Sequence, residues 1–140
     1  MSSQASISQQ DIHDFAIEFD PQPYHLDVQA GDDSIFGGLC ASGWHVTAVM
    51  MRLLSDSFRA TGIELLGSKS VSKLTWRRPV FAADSLVSTL TIAEKSTSDD
   101  DRYGLVTCDI AVANQSGDAV IQLSTTVMVG HDPQGARNNG

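Results

Sequence analysis

The chain has 140 residues, 41% of them hydrophobic and 19% charged, which is the make-up of one globular domain with a sizeable core and excludes a disordered or fibrous protein. Nine Lys and Arg stand against seventeen Asp and Glu, a formal net charge of −8; a nucleic-acid binder needs a clustered basic surface, so that class of partner is excluded. No apolar run approaches the roughly 20 residues that cross a bilayer, and no membrane partner is expected.

The opening stretch, "MSSQASISQQ", has neither a basic start nor an apolar run, so it is not read as a secretory signal and a cytoplasmic location is expected. These first residues are expected to be flexible. Ile12, Phe15, Ala16 and Phe19 recur at the spacing of one helical face, with Ser6 or Ser8 placed to cap it, and predict a short amphipathic helix. Pro21 and Pro23 end that helix and push Asp20 and Gln22 toward extended conformations, which makes "DPQP" a stiff loop. Asp27 is expected to cap a short turn over residues 28–31.

Residues 39–59, "LCASGWHVTAVMMRLLSDSFR", contain no proline, and Gly43, Val46, Thr47, Met50, Met51, Leu54 and Phe58 fall at helical offsets. This predicts a long central helix, preceded by Gly37-Gly38, with Ser42 as a candidate cap and Gly62 as its stop. Met50 and Met51 read as core, and His45 as a packed histidine or one facing a second subunit. After Gly67 the period changes to two. "SVSKLTWRRPVF" places Ser72, Leu74, Trp76 and Arg78 on one side and Val71, Lys73, Thr75 and Arg77 on the other; "DSLVSTLTIAEK", "YGLVTCDIAVAN" and "AVIQLSTTVMV" follow, the last two joined by a turn over residues 115–118. Residues 96–102 read as an exposed hairpin loop, and those from 131 to 140 as a frayed tail. Cys40 and Cys108 lie in apolar surroundings far apart, which suits buried, reduced thiols. There is no CxxC, no HExxH and no His/Cys cluster at ligand spacing, so no metal is expected.

Consecutive strands joined by short loops make an antiparallel sheet, and its apolar face needs a cover that only the helix over residues 39–59 is large enough to supply. The expected fold is α+β: one domain spanning 1–140, with an antiparallel sheet wrapped around a long central helix, in the outline of a hotdog fold.

The stretches "DFAIEFDPQPYHLD", "FGGLCASGW", "RRPVFAADSL" and "VANQSGDAVI" together resemble the MaoC-like acyl dehydratases, the group that contains the (R)-specific enoyl-CoA hydratases. The resemblance covers most of the chain, from about residue 14 to 129. It implies a catalytic dyad at Asp20 and His25, and a backbone N–H donor to the thioester carbonyl at Gly43. It also brings Gln22, Ser42 and Trp44 into the substrate site, at positions where the family tends to have Asn, His and Met. No cofactor is implied beyond coenzyme A or acyl carrier protein as the thioester's carrier, and the implied partner is a second copy of the chain.

The chemistry suits those residue types. Adding water to a double bond conjugated with a thioester needs a base for the water, an acid for the α-carbon and stabilisation of the enolate oxygen. A carboxylate and an imidazole sharing one water supply the first two, and a helix N-terminus supplies the third. An isolated Asp and His five positions apart is more often a turn acid and a surface histidine; the surrounding landmarks shift the weight to the dyad. Arg77-Arg78 would suit the phosphates of coenzyme A, although solvated charge is the commoner role of such a doublet. His13 and His131 carry no signal. The expected activity is a lyase interconverting trans-2-enoyl and (R)-3-hydroxyacyl thioesters. A hotdog thioesterase is disfavoured because residues 39–51 contain no Asp or Glu, and a non-catalytic acyl-thioester-binding subunit is the other alternative. A single sheet of about five strands leaves edges, and apolar residues such as Trp76 and Phe81, for a homodimer partner to cover.

Overall fold

Val46, Met50, Leu53, Leu54 and Phe58 sit on one face of an unbroken helical stretch, and their burial decides where the chain folds. The structure, a computed structural model, describes residues 2–130; the tail expected from 131 onward lies outside the described residues. Strand β1 (Ser2–Ser6) is followed by α1 (Gln9–Phe19), α2 (Pro23–Leu26), α3 (Val28–Asp32) and α4 (Gly43–Ala60), then by β2 (Leu65–Trp76), β3 (Ser85–Thr97), β4 (Tyr103–Ala113) and β5 (Ala119–Gly130). All pairings are antiparallel, in the order β1-β3-β4-β5-β2. Leu86, Leu90, Ile110, Val112, Ile121, Leu123 and Val127 form the apolar face that meets α4. Each such side chain contributes about 1.5–3 kcal/mol when fully buried.

The local signals act as their chemistry requires. Ser8 caps α1 in a reciprocal box with Asp11, and the Asp27 carboxylate accepts the Ala30 N–H at 2.9 Å at the start of α3. Gly62, at φ +77°, ends the turn that follows α4. The β4–β5 turn is closed by the Asn114 carboxamide oxygen, which accepts the N–H groups of Ser116 and Asp118. Cys40 and Cys108 are both buried and unpaired.

Four expectations are corrected. The first residues are not a flexible lead but strand β1, which pairs with β3 from Ser2↔Thr89 to Ser6↔Ser85; "SSQAS" lacks apolar alternation because this edge strand draws its order from β3. The central helix begins at Gly43, not at residue 39, because residues 40–41 pair in extended form with residues 80–81: Cys40 bridges Phe81, and the Ala41 N–H donates to Val80 O at 2.8 Å. The "DPQP" loop is shorter than expected, because Pro23 starts α2 and so puts His25 on a helical turn; a proline at the first helical position loses nothing there. Finally, β2 does not alternate throughout. A bulge between Ser72 and Thr75, with Lys73 at φ 56°, breaks the register, so Val71 lines a hollow beside Trp44 and Met51 while Lys73 and Thr75 line a groove beside Asp109 and Gln122.

His45 stacks on Phe15, with ring centroids 4.6 Å apart and 11° between planes, and its buried Nδ1 has no partner among the described residues. Burial lowers its pKa below the ordinary 6.5, with the Asp11 carboxylate working partly the other way. The folded state therefore takes up this proton later on acidification than the unfolded chain does. The stability this gives is present above the unfolded value and is lost as pH falls from there through the folded one. Between about pH 7.5 and 5 the urea midpoint of the wild type is expected to fall more than that of His45→Phe, which keeps the stack and removes the titration; equal falls would refute the assignment.

Candidate active site

Asp20 and His25 meet because α1 ends where α2 begins. Asp20 closes α1, its N–H donating to Ala16 O at 2.8 Å, and its backbone leaves the helix at φ −154°, ψ 67°. The Gln22 N–H then returns to Asp20 O at 2.7 Å, and the His25 N–H to Gln22 O at 2.9 Å. With two prolines in this bend there is little chain entropy left to lose in holding the pair.

His25 is only 5% exposed. Its Nδ1 lies 2.6 Å from the Cys40 carbonyl oxygen, which can only accept, so the ring's proton is on Nδ1 in the neutral form. Nε2 is left with its lone pair, 3.4 Å from Asp20 Oδ2. That carboxylate oxygen also accepts the Ser42 hydroxyl at 2.7 Å. Two acceptors thus face one another at a separation too long for a strong direct hydrogen bond. A molecule that donates to both, such as water, satisfies the pair.

Ser42 occupies the N-cap position of α4, yet its side chain makes no capping hydrogen bond, because its hydroxyl is turned to Asp20. The first-turn N–H groups of α4 are therefore left without a side-chain acceptor, at the end where the helix dipole is positive. Gly43 is the first of them. Trp76 reaches it from the end of β2: the indole Nε1–H donates to Gly43 O at 2.8 Å and lies 3.2 Å from Thr47 Oγ1. Trp44 meets Trp76 edge-on at 5.0 Å.

Asp20, His25, Gly43 and Trp44 line one cleft of ≈ 330 Å³, together with Tyr24, Phe36, Cys40, Trp76, Arg77 and Arg78. Ser42 is fully buried and touches the cleft only through Asp20. Gln22 is exposed and does not line the cleft; its contribution to the site is the two main-chain hydrogen bonds across the bend. Sequence reasoning missed the Cys40 carbonyl, a main-chain group for which no residue-type signal exists. It also read Trp76 only as apolar surface, although an indole bears a donor that needs a partner. Burial pushes the Cys40 thiol up to about 11, against a smaller opposing main-chain hydrogen bond, so this cleft residue is no thiolate nucleophile. Among the described residues no three His, Cys, Asp or Glu side chains stand together to hold a metal ion, and no helix is long and apolar enough to cross a membrane.

A five-stranded antiparallel sheet packed on one long helix is the hotdog fold. The family model described as MaoC like domain matches residues 1–114, and the chain belongs to that family. A MaoC-like dehydratase from Rhodospirillum rubrum is 38% identical, superposes with a TM-score of 0.78, and is matched over 94% of this chain and 90% of its own. R-hydratase PhaJ1 from Pseudomonas aeruginosa is 25% identical with a TM-score of 0.69, over 94% of this chain and 80% of that one. The HadBC (3R-hydroxyacyl-ACP dehydratase) complex from Mycobacterium tuberculosis shares the fold at 20% identity, with a TM-score of 0.74 over 91% of this chain and 94% of that one.

The need for glycine at position 43 arises first from Trp76, since a Cβ there would stand 2.9 Å from the indole Cε2 and Nε1 atoms. Gly43→Val is therefore expected to cost stability as well as activity, by about 1–3 kcal/mol, as overpacking generally does. Trp76→Ala in the same chain should recover part of that loss. Urea denaturation of the two single variants and the double variant measures the coupling, and simple additivity would refute it.

Proposed function

We propose that this protein is a hydro-lyase that interconverts trans-2-enoyl thioesters and (R)-3-hydroxyacyl thioesters, with Asp20 and His25 gripping one water. The observation that carries the reading is the Nδ1–H bond from His25 to the Cys40 carbonyl. It commits the Nε2 lone pair to the cleft, opposite Asp20. The R-stereochemistry follows the family relationship rather than any contact.

In the hydration direction, one O–H of the shared water points at Nε2 and the other at the Asp20 carboxylate. As the water oxygen bonds to the β-carbon, one proton passes to Nε2, and the double-bond electrons move through the conjugated system onto the thioester oxygen. The Gly43 N–H and the positive end of α4 hold the resulting enolate; one such donor is worth about 3–4 kcal/mol in a transition state. The protonated imidazole then returns a proton to the α-carbon, and the electrons collapse back from the oxygen. No proton is gained or lost overall, and the reverse sequence dehydrates. Asp20 orients the water and stabilises the transient imidazolium, while Ser42 holds Asp20.

His25→Ala and Asp20→Asn are each expected to lower kcat by about 10²–10⁴, the range for a positioned acid or base. The double variant should be little worse than the poorer single one, because groups acting on one water are strongly non-additive. The assay follows loss of the enoyl absorbance, with free thiol measured in parallel: thiol release would indicate a thioesterase, neither signal from the wild type would leave the binding-subunit alternative, and full hydratase activity in both single variants would remove the pair from the mechanism.

The working unit in this reading is a homodimer. Trp44, 60% exposed, and Val71 border an apolar hollow with Met51 beside α4, which a second copy would cover. Light scattering at micromolar concentration is expected to give at least twice the chain mass, and the monomer mass alone would overturn the dimer. The buried, unpaired thiols fit a reducing, cytoplasmic setting.

A further inference from the structure

Residues 77–84, between β2 and β3, support from outside the segment that sets the His25 tautomer. Val80 O accepts the Ala41 N–H at 2.8 Å, and Phe81 bridges Cys40. The Phe81 ring lies against Gly38, where a Cβ would stand 3.0 Å from its Cε1. The loop is held at both ends by the β4–β5 hairpin. At one end the Arg77 N–H donates to Val120 O at 2.8 Å. At the other, Gln115 uses both atoms of its carboxamide: Oε1 accepts the Ser85 N–H at 3.0 Å, and Nε2 donates to Asp84 Oδ1 at 3.0 Å. The second Asp84 oxygen, Oδ2, accepts the Phe81 N–H at 2.9 Å, and the Asp84 N–H returns to Phe81 O at 3.1 Å. The turn closed in this way contains Ala83 at φ 65°. A residue with a Cβ is strained in that left-handed region, and persists there only where its surroundings over-determine it. What the clamp fixes is the course of residues 80 and 81.

We propose that Asp84, tied down by Gln115, is a positioning residue for the Asp20–His25 pair. By fixing the Phe81 main chain it fixes Cys40, and through the Cys40 carbonyl, 2.6 Å from His25 Nδ1, it keeps the ring's proton on Nδ1 and the Nε2 lone pair in the cleft. Neither Asp84 nor Gln115 lines the cleft, so both act only through residues 80–81 and 40. The proposal rests on the hydratase reading for the use made of Nε2; the tautomer is a property of the folded chain alone. A carboxylate suits this place because it only accepts, and it faces two donors, the Phe81 N–H and the Gln115 amide. An amide in its stead would satisfy one donor and set its own N–H groups against the other.

Nitrogen NMR of protein with isotope-labelled histidine reads the tautomer without turnover, the His25 signals being assigned by their loss in His25→Ala. In the wild type Nδ1 is expected to carry the proton and Nε2 to be bare. Asp84→Ala should draw the two signals together as the ring populates both tautomers. It should also lower kcat for hydration of a crotonyl thioester about tenfold, with KM within about twofold of the wild type. Asp84→Asn should do the same more weakly. Combined with Gln115→Glu it should recover the wild-type signals and rate, because the new amide then donates to the new carboxylate, whose other oxygen still accepts the Ser85 N–H. Gln115→Ala, at an exposed position, is the variant to use if Asp84→Ala does not fold, with a smaller change in the same direction. A clamp that serves stability alone would lower the urea midpoint of these variants and leave the His25 signals and kcat as they are, which overturns the proposal. A double variant no better than Asp84→Asn overturns it too. A tautomer that shifts as described in a chain that hydrates no enoyl thioester would support the positioning role and refute the hydratase reading; unmoved signals in an active hydratase would do the reverse.

Discussion

The site depends on a short extended segment, residues 40–42, held between α3 and α4. The Cys40 N–H reaches Tyr24 O at 3.3 Å, and the Ala41 N–H reaches Val80 O at 2.8 Å. From this fixed segment the Cys40 carbonyl takes the His25 Nδ1–H, and the Ser42 hydroxyl goes to Asp20. Each hydrogen bond contributes only about 1 kcal/mol net. Their joint effect is geometric: one segment sets the tautomer of the imidazole, the placement of the carboxylate and the point at which α4 begins. It also diverts the natural helix cap, so that the first-turn donors of α4 receive no side-chain acceptor from Ser42.

Trp76 ties this local geometry to the core. Its indole is set by β2, which pairs with β5, and its N–H holds the carbonyl of Gly43. The helix N-terminus is thus fixed from the sheet side by an aromatic ring and from the loop side by Ser42. Support from both directions leaves the first turn of α4 little room to move. Placing a tryptophan rather than an aliphatic residue there combines a large apolar contact with the one donor the carbonyl needs.

Much of this was legible in the chain because periodicity and capping are local. The spacing of Val46, Met50, Leu54 and Phe58 located the central helix, the two-residue period located β3, β4 and β5, and Asp27 and the turn over residues 115–118 act as their side chains dictate. Asp20 and His25 stood out because a proline-stiffened bend is an unusual setting for an acid and a histidine. What escaped was non-local or carried by the main chain. β1 has no pattern of its own and is ordered by β3. The start of α4 is displaced by pairing with residues 80–81, which no helical propensity in 39–42 could reveal. The bulge at Lys73 reverses the faces assigned around Val71. Gln22, placed in the substrate site by analogy with an amide two residues after the acid, points outside the cleft because the bend uses its main chain instead.

The position of β1 also bears on how this chain reaches its native state. The first strand described, β1, has its partner in β3, and β2 must wait for β5, the last strand described. Only the β3–β4–β5 meander joins neighbours in sequence. Loop-closure entropy makes such distant pairings slow, and chains dominated by them fold on the millisecond-to-second scale. Until the meander exists, the apolar face of α4 has no sheet to cover it. The meander is therefore the part of the sheet whose pairing closes the shortest loops, and β1 and β2 complete it at its two edges.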